Sequence, residues 1–400
     1  MARNRLANRA MVVLSLIVFG VAALVLWVPR PVAPDGDGAA ASLDVQGEPV
    51  LLGAVWHEPA GSFWHGVELA VARINGEGGL LGRPVRVVAR TDRSSLGAGM
   101  AIAQELASTP GLVAVVGHYN SFVAVSAAGV YERAGIVFIT PAATSPRLTQ
   151  LGYRHVFRSV TSDTDNAGFL AAHLLDRGYR RIAVYYTPDP YGRGFANGLE
   201  DALRLGGGDV VDRISYFGDE VMLTRLVQTW HALGVDALVV ADVLPQAGEF
   251  IEGVRRAGYA GPIAGGDGLH DPNLFRYDVH AVEGLTVVSH FNARSPRPET
   301  RAFVAAYRDR FGEAPEPWAA LAYDAVLVFA EGVRRAQSFD PEQVSRALRN
   351  GPPWSGATGS FAFDQRGDPA GKEPVLRRVH GGRFVYVDEA ASDGVDREAR

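Results

Sequence analysis

Residues able to grip a polar ligand recur at one kind of place in this chain, immediately after short runs of β-formers. Val113–Gly117 is followed by "HYNSF", Val137–Thr140 by "PAATS" and Ile182–Thr187 by a segment containing "PDPYGRG". Ala237–Ala241 is followed by "DVLPQ" and Ile263–Gly265 by "GDGLHD". Each segment offers a hydroxyl, a carboxylate or a phenol, and the candidates are Ser121, Thr144, Tyr191 and Asp267, with Asp163 in "SVTSDTDNAG". Every one has an ordinary structural role open to it. Ser121 is of the type that caps helices. Thr144 and Ser145 can cap the short segment toward Leu151, and Asp163 can cap a helix from Asn166. Tyr191 beside Gly192 suits turn packing, and Asp267 between glycines suits a turn. The argument for a site rests on the set.

Hydroxyls and helix starts without an activated nucleophile make a binding site, not a catalytic one. No G-x-S-x-G elbow and no H-E-x-x-H pair occur, and His57 and His118 read as structural or solvated. No pair of carboxylates is placed for general acid–base work. "GRGFANG" follows a strand, but its last glycine falls one residue late for a dinucleotide loop. Lys372 is the only lysine among 39 basic residues, which rules out a P-loop. Cysteine is absent, which excludes disulfides, thiol chemistry and thiolate-held zinc. The net charge of −5 argues against a nucleic-acid partner. No cofactor is implied.

The elements that must position these residues alternate along the chain. Strand-like runs from Val50–Trp56 to Leu285–Ser289 are separated by helical stretches such as Phe63–Asn75, Phe122–Ala134 and Asn166–Arg177. Several strands are nearly continuous apolar runs, the pattern of strands buried on both faces of a parallel sheet. Such alternation predicts doubly wound α/β architecture, and 400 residues suggest about two domains. In that architecture ligands bind beyond the carboxyl ends of the strands, where the candidates lie. From Arg301 the order changes to three helical runs, Arg301–Phe311, Ala319–Ala336 and Pro341–Leu348, and then short strands, so the chain is expected to cross between domains more than once. The expected division is 49–162 with 291–350 as one lobe and 163–290 with 351–388 as the other. Residues 389–400 read as a disordered tail.

The N-terminus predicts location. "AMVVLSLIVFGVAALVLWVP", residues 10–29, carries no charge and as a helix would span about 30 Å, a bilayer core. Arg3, Arg5 and Arg9 make residues 1–9 a basic cytoplasmic end. A cleaved signal is the alternative, although the run exceeds a usual h-region and Ala39-Ala40-Ala41 lies well past it. Residues 30–48, rich in Pro, Gly, Ala and Asp, read as a linker. Either way the bulk of the chain is expected outside the cytoplasm.

"GGLLGRPVRVV", "VVGHYNSFVAVSAAGVYERAGIVFITPAATSPRLT", "YRHVFRSVTSDTDNAG", "RIAVYYTPDPYGRG" and "YDAV" with "FDQRGD" occur in one order. In these motifs the chain resembles the leucine/isoleucine/valine-binding proteins, the type I periplasmic substrate-binding proteins of ABC importers, over roughly residues 50–388. The resemblance implies a Venus-flytrap fold: two Rossmann-like lobes joined by three crossover strands, with a ligand between them, here preceded by the N-terminal transmembrane helix. It implies that Ser121 holds the α-carboxylate of an amino acid. Ala142 would supply a carbonyl, Thr144 a hydroxyl, Tyr191 a phenol and Asp267 the acid for the α-ammonium. Trp64 and Tyr323 would be the flanking aromatics, and Asp163 joins the candidates. Three departures are visible: "DPYG" is one residue short, Asp267 stands for a longer Glu, and Val243 stands where some members carry an aromatic. The implied function is amino-acid binding (branched-chain or related) without catalysis, with an ABC permease as partner and the membrane as anchorage. The rival is a ligand-sensing ectodomain that signals to a membrane partner.

Overall fold

Runs such as "LVAVVG" and "ALVVA" can bury both faces only inside a helix-covered parallel sheet. The computed structural model, which describes residues 47–387, arranges them so. β1 (Val50–Trp56), β2 (Val85–Thr91), β3 (Leu112–Gly117), β4 (Val137–Thr140) and β5 (Val156–Arg158) form one parallel sheet in the order β2-β1-β3-β4-β5. β6 (Arg181–Tyr186), β7 (Asp209–Ile214), β8 (Ala237–Ala241), β9 (Ile263–Gly265) and β10 (Thr286–Ser289) are parallel in a second sheet. β11 (Trp354–Gly356), β12 (Gly359–Phe363) and β13 (Pro369–Ala370) make a small third sheet. β14 (Val375–His380) and β15 (Arg383–Tyr386) close the second sheet as an antiparallel hairpin beside β10. The result is the two-lobed α/β fold expected from the alternation.

Two differences from the sequence reading have clear causes. β5 is only three residues long and ends in the fully buried Arg158, so its polarity hides it. Residues 351–388 were expected in the second lobe as one block. Instead β12 turns Phe361 and Phe363 into the apolar core of the first lobe, with Phe157 and Phe363 ring centroids 4.9 Å apart. Only β14 and β15 belong to the second sheet.

The helix Pro317–Ala336 is apolar nearly all round and is buried along most of its length, as such a helix must be. It packs on Ser62–Gly76 at very short range: a Cβ at Gly66 would lie 2.1 Å from the carbonyl oxygen of Ala319. That contact sets how the two helices face the cleft.

Three segments link the lobes: 159–162 after β5, 290–297 after β10 and 371–374 before β14. They are stitched to one another. Lys372 Nζ donates to the Ser159 carbonyl at 2.6 Å and to Thr358 Oγ1 at 2.7 Å. Thr161 Oγ1 lies 3.2 Å from His290 Nδ1. Among the described residues no helix is long and apolar enough to cross a membrane. The expected anchor at 10–29, the linker up to Gln46 and the tail from Glu389 lie outside the described residues.

Candidate functional site

The strand ends of the two sheets converge on a cavity between the lobes. Tyr119, Asn120, Ser121, Ala142, Thr144 and Trp318 line it from the first lobe. Asp189, Tyr191, Val243, Asp267 and Gly268 line it from the second. Ser121, Ala142, Thr144, Tyr191 and Asp267 were singled out from sequence, and the fold brings them to one place.

Ser121 opens the helix Ser121–Ala134 but does not cap it; Asn120 holds the N-cap position and makes no side-chain cap bond. The Ser121 hydroxyl instead accepts from the Ser145 backbone N–H at 3.2 Å, which leaves its proton free for a ligand. In the first turn the Asn120 carbonyl already takes the Val123 N–H at 3.1 Å, which leaves the N–H groups of Ser121 and Phe122 at the helix start for an anion. Asn120 Oδ1 is buried without a partner beside it.

The Pro141–Ser145 corner is held from behind. Thr140 Oγ1 donates to the His118 carbonyl at 3.2 Å and accepts from the N–H groups of Ala142 and Ala143 at 3.3 and 3.0 Å. His118 bridges Asp92, at 2.8 Å, and the Tyr131 hydroxyl, at 3.0 Å, so it is a structural histidine. Arg158, fully buried, donates to the carbonyls of Thr144 and Ser145, both at 2.7 Å, and pairs with Asp368. These bonds fix the corner so that Ala142 and Thr144 face the cavity. Ser145 Oγ then donates across the cleft to the Pro190 carbonyl at 3.0 Å, linking the lobes.

Acid dominates the opposite wall. Asp267 is buried; its Oδ2 lies 3.3 Å from His290 Nε2 and its Oδ1 has no partner. Asp163, a predicted site residue, does not line the cavity; it is fully buried beside Thr144, whose hydroxyl lies alongside, and neither carboxylate oxygen meets hydrogen-bond geometry. Burial pushes its pKa far up and the neighbouring Asp267 pushes the same way, against weaker opposition from Thr144 and Arg158. Asp163 does not cap its helix: Ser162 does, in a capping box with Asp165. Asp189 caps the helix Pro190–Leu205 by accepting from Gly192 N–H at 3.0 Å, and burial raises its pKa. Tyr191 accepts from Gly268 N–H at 3.2 Å, and burial, reinforced by Asp267 and Asp163, keeps its phenol protonated and able to donate. The cavity thus has a hydroxyl and helix N-terminus on one side and unpaired carboxylate oxygen on the other. A small zwitterion matches that polarity. Among the described residues no group of three potential metal ligands occurs.

Two predicted aromatics lie elsewhere. Trp64 donates its indole N–H to the Glu58 carbonyl at 2.8 Å and packs against the first-lobe core. The Tyr323 hydroxyl accepts from Arg73 at 3.0 Å, and its ring packs on Phe303, away from the cavity. The close contact of Gly66 with Ala319 orients the helix pair so that Trp318 enters instead, edge-on to Tyr119 with centroids 5.3 Å apart. Trp318 and Asp189 were missed because one precedes the apolar helical run and the other passes for an ordinary cap. Tyr119 and Asn120 sit inside "HYNSF", whose position was itself the signal.

The geometry has company among known proteins. A family model described as periplasmic binding protein matches residues 57–382. The chain is 29% identical over 332 residues to Leu/Ile/Val-binding protein homolog 1 of Brucella suis, covering 82% of this chain and 86% of that one. It is 28% identical over 309 residues to the Leu/Ile/Val-binding protein of Escherichia coli, covering 77% and 83%. Among solved structures it matches an ABC transporter substrate-binding protein of Desulfitobacterium hafniense in complex with Leu, at TM-score 0.78 and 39% identity over 85% of this chain and 100% of that one. A leucine-binding protein of Thermotoga maritima matches at TM-score 0.78 and 25% identity, over 84% and 97%.

Proposed function

Since the chain belongs to the periplasmic binding proteins, we propose that it is the extracytoplasmic substrate-binding protein of an ABC importer, taking a branched-chain amino acid or a close relative between its lobes. The family consists of binding proteins, and this chain accordingly binds without catalysis. The observation that carries the ligand assignment is the pairing of the Ser121 helix start with the unpartnered Oδ1 of Asp267 across one cavity. Ser121, Thr144 and the helix N-terminus take the α-carboxylate. Asp267 and the Ala142 carbonyl take the α-ammonium, with Asp163 behind them. Tyr191 donates its phenol, and Trp318, Tyr119 and Val243 surround the side chain. The relatives named for leucine, isoleucine and valine support this reading. The apolar run at 10–29 supports attachment to the outer face of the cytoplasmic membrane, within reach of a permease.

The test is a thermal-shift screen of the purified protein against the twenty amino acids. A ligand at 100 times its Kd should add about 2.7 kcal/mol of stability. Leucine, isoleucine or valine should give the largest shift. A flat response to all twenty would remove the proposal.

A further inference from the structure

His290 lies outside the cavity lining, on the segment that returns the chain from the second lobe to the first. It is buried; Nδ1 has a hydrogen-bond partner, and Nε2 faces Asp267 without meeting hydrogen-bond geometry. Nε2 lies 3.3 Å from Asp267 Oδ2, and Nδ1 lies 3.2 Å from Thr161 Oγ1 on the neighbouring lobe crossing. Thr161 Oγ1 in turn donates to Asn166 Oδ1 at 2.6 Å, inside the helix that opens the second lobe. Asp267 therefore has one oxygen at ion-pair distance from the hinge histidine and the other, Oδ1, buried without a partner.

We propose that His290 is the positioning residue for the ligand's ammonium group: by holding Asp267 Oδ2 against the two lobe crossings it aims Oδ1 into the cavity and ties amine recognition to hinge geometry. This rests on the amino-acid reading above. Two physical points carry it. A short aspartate has two side-chain torsions, and a carboxylate fixed through one oxygen presents the other in one direction. A buried carboxylate with two free oxygens would instead turn toward whichever donor is nearest. Further, Thr161 and His290 belong to different crossings, so rotation of one lobe against the other strains the Thr161–His290 contact and through it the seat of the ammonium. The chain Asn166, Thr161, His290, Asp267 thus links the hinge to one end of the ligand. Ser121 and the carboxylate end have no part in it.

The experiment measures the coupling between His290 and the ligand amine. Affinities of the wild-type protein and His290→Phe are compared for leucine and for 2-hydroxy-4-methylpentanoate, which replaces the amine by a hydroxyl. His290→Phe should weaken leucine at least tenfold while changing the hydroxy acid less than threefold, so the preference for the amine collapses. His290→Gln, whose amide N–H can face Asp267 Oδ2, should restore part of that preference. Thr161→Val, which keeps the ring but removes its hinge partner, should reduce the preference in the same direction by a smaller factor. Equal weakening of both ligands by His290→Phe would show that the residue is merely structural, and would overturn the inference. So would an unchanged preference in His290→Gln and Thr161→Val together, should the phenylalanine variant fail to fold. If wild-type protein binds neither leucine nor any other amino acid, the proposed function has failed and this inference falls with it; if it binds leucine without such coupling, only the role of His290 is lost.

Discussion

Replacing Asp267 by asparagine should move empty-protein stability and ligand affinity in opposite directions. The carboxylate is buried with Oδ1 unpaired, and it helps drive up the pKa of the equally buried Asp163. An uncompensated buried charge still costs several kcal/mol after relaxation. Asparagine keeps the shape, drops the charge and lifts one of the two influences that hold Asp163 protonated. The empty protein should gain about 1–2 kcal/mol, since part of the original cost is already met by His290 at 3.3 Å. At roughly 2 °C per kcal/mol for a chain of this size, Tm rises by a few degrees. The ligand loses its counter-ion in the same substitution. Removing one partner of a buried charge pair costs about 2–5 kcal/mol, which raises Kd by roughly 30-fold to a few thousand-fold. Differential scanning calorimetry of the empty protein and calorimetric titration with leucine read the two effects separately. A variant less stable when empty, with leucine affinity within threefold of wild type, would refute both the charge argument and the placement of the ammonium.

The other predictions follow the same bonds. Ser121→Ala should weaken leucine binding by about 1–3 kcal/mol and also cost roughly 1 kcal/mol of stability, because the Ser145 N–H loses its acceptor; denaturant titration and calorimetry give the two numbers, and unchanged affinity would show the carboxylate sits elsewhere. Asp242 has its pKa pushed up to about 6 by burial, despite bonds from Val243 N–H and the Tyr185 hydroxyl. A raised carboxylate pKa means no penalty below about pH 4, where both folded and unfolded states hold the proton, and a penalty that grows as pH rises through 6, approaching about 3 kcal/mol and less after solvent screening. Asp242→Asn should therefore be more stable than wild type at pH 7 by roughly 1–2 kcal/mol and equal to it near pH 4, and a pH-independent difference would contradict the assignment. Val243→Phe should fill the side-chain end of the cavity and shift preference from leucine toward alanine by about tenfold or more, read from the ratio of their Kd values.

Much of the site was legible because the strand-end rule is topological. It asks only where a strand stops, and Ser121, Thr144, Tyr191 and Asp267 follow at once from the ends of four strands. What stayed hidden depends on rotation and depth. Whether Trp64, Tyr323 or Trp318 faces the ligand is settled by how two helices roll against each other, and that roll is set by a glycine-to-backbone contact that periodicity does not reveal. Arg158 and His290 are invisible for a different reason. Each is a lone polar letter at a strand end, and its partners, Asp368 and Asp267, are far away in sequence. Asp163 shows the converse: the capping role that its position suggested belongs to the serine before it.

Lys372 has a consequence beyond the hinge that it stitches. It is the only lysine in the chain, its amine is buried against Ser159 and Thr358, and burial draws its pKa down to about 8 against the opposing charge of Asp324. Amine-directed reagents therefore find no lysine on the native surface, and a lysine-specific protease has one bond to cut, at a place the fold conceals. Modification of that single amine becomes a clock for opening of the hinge region. Its rate, followed by peptide mass mapping that sets the N-terminal amine apart, would report how often the lobe connections come apart and by how much a bound ligand slows them.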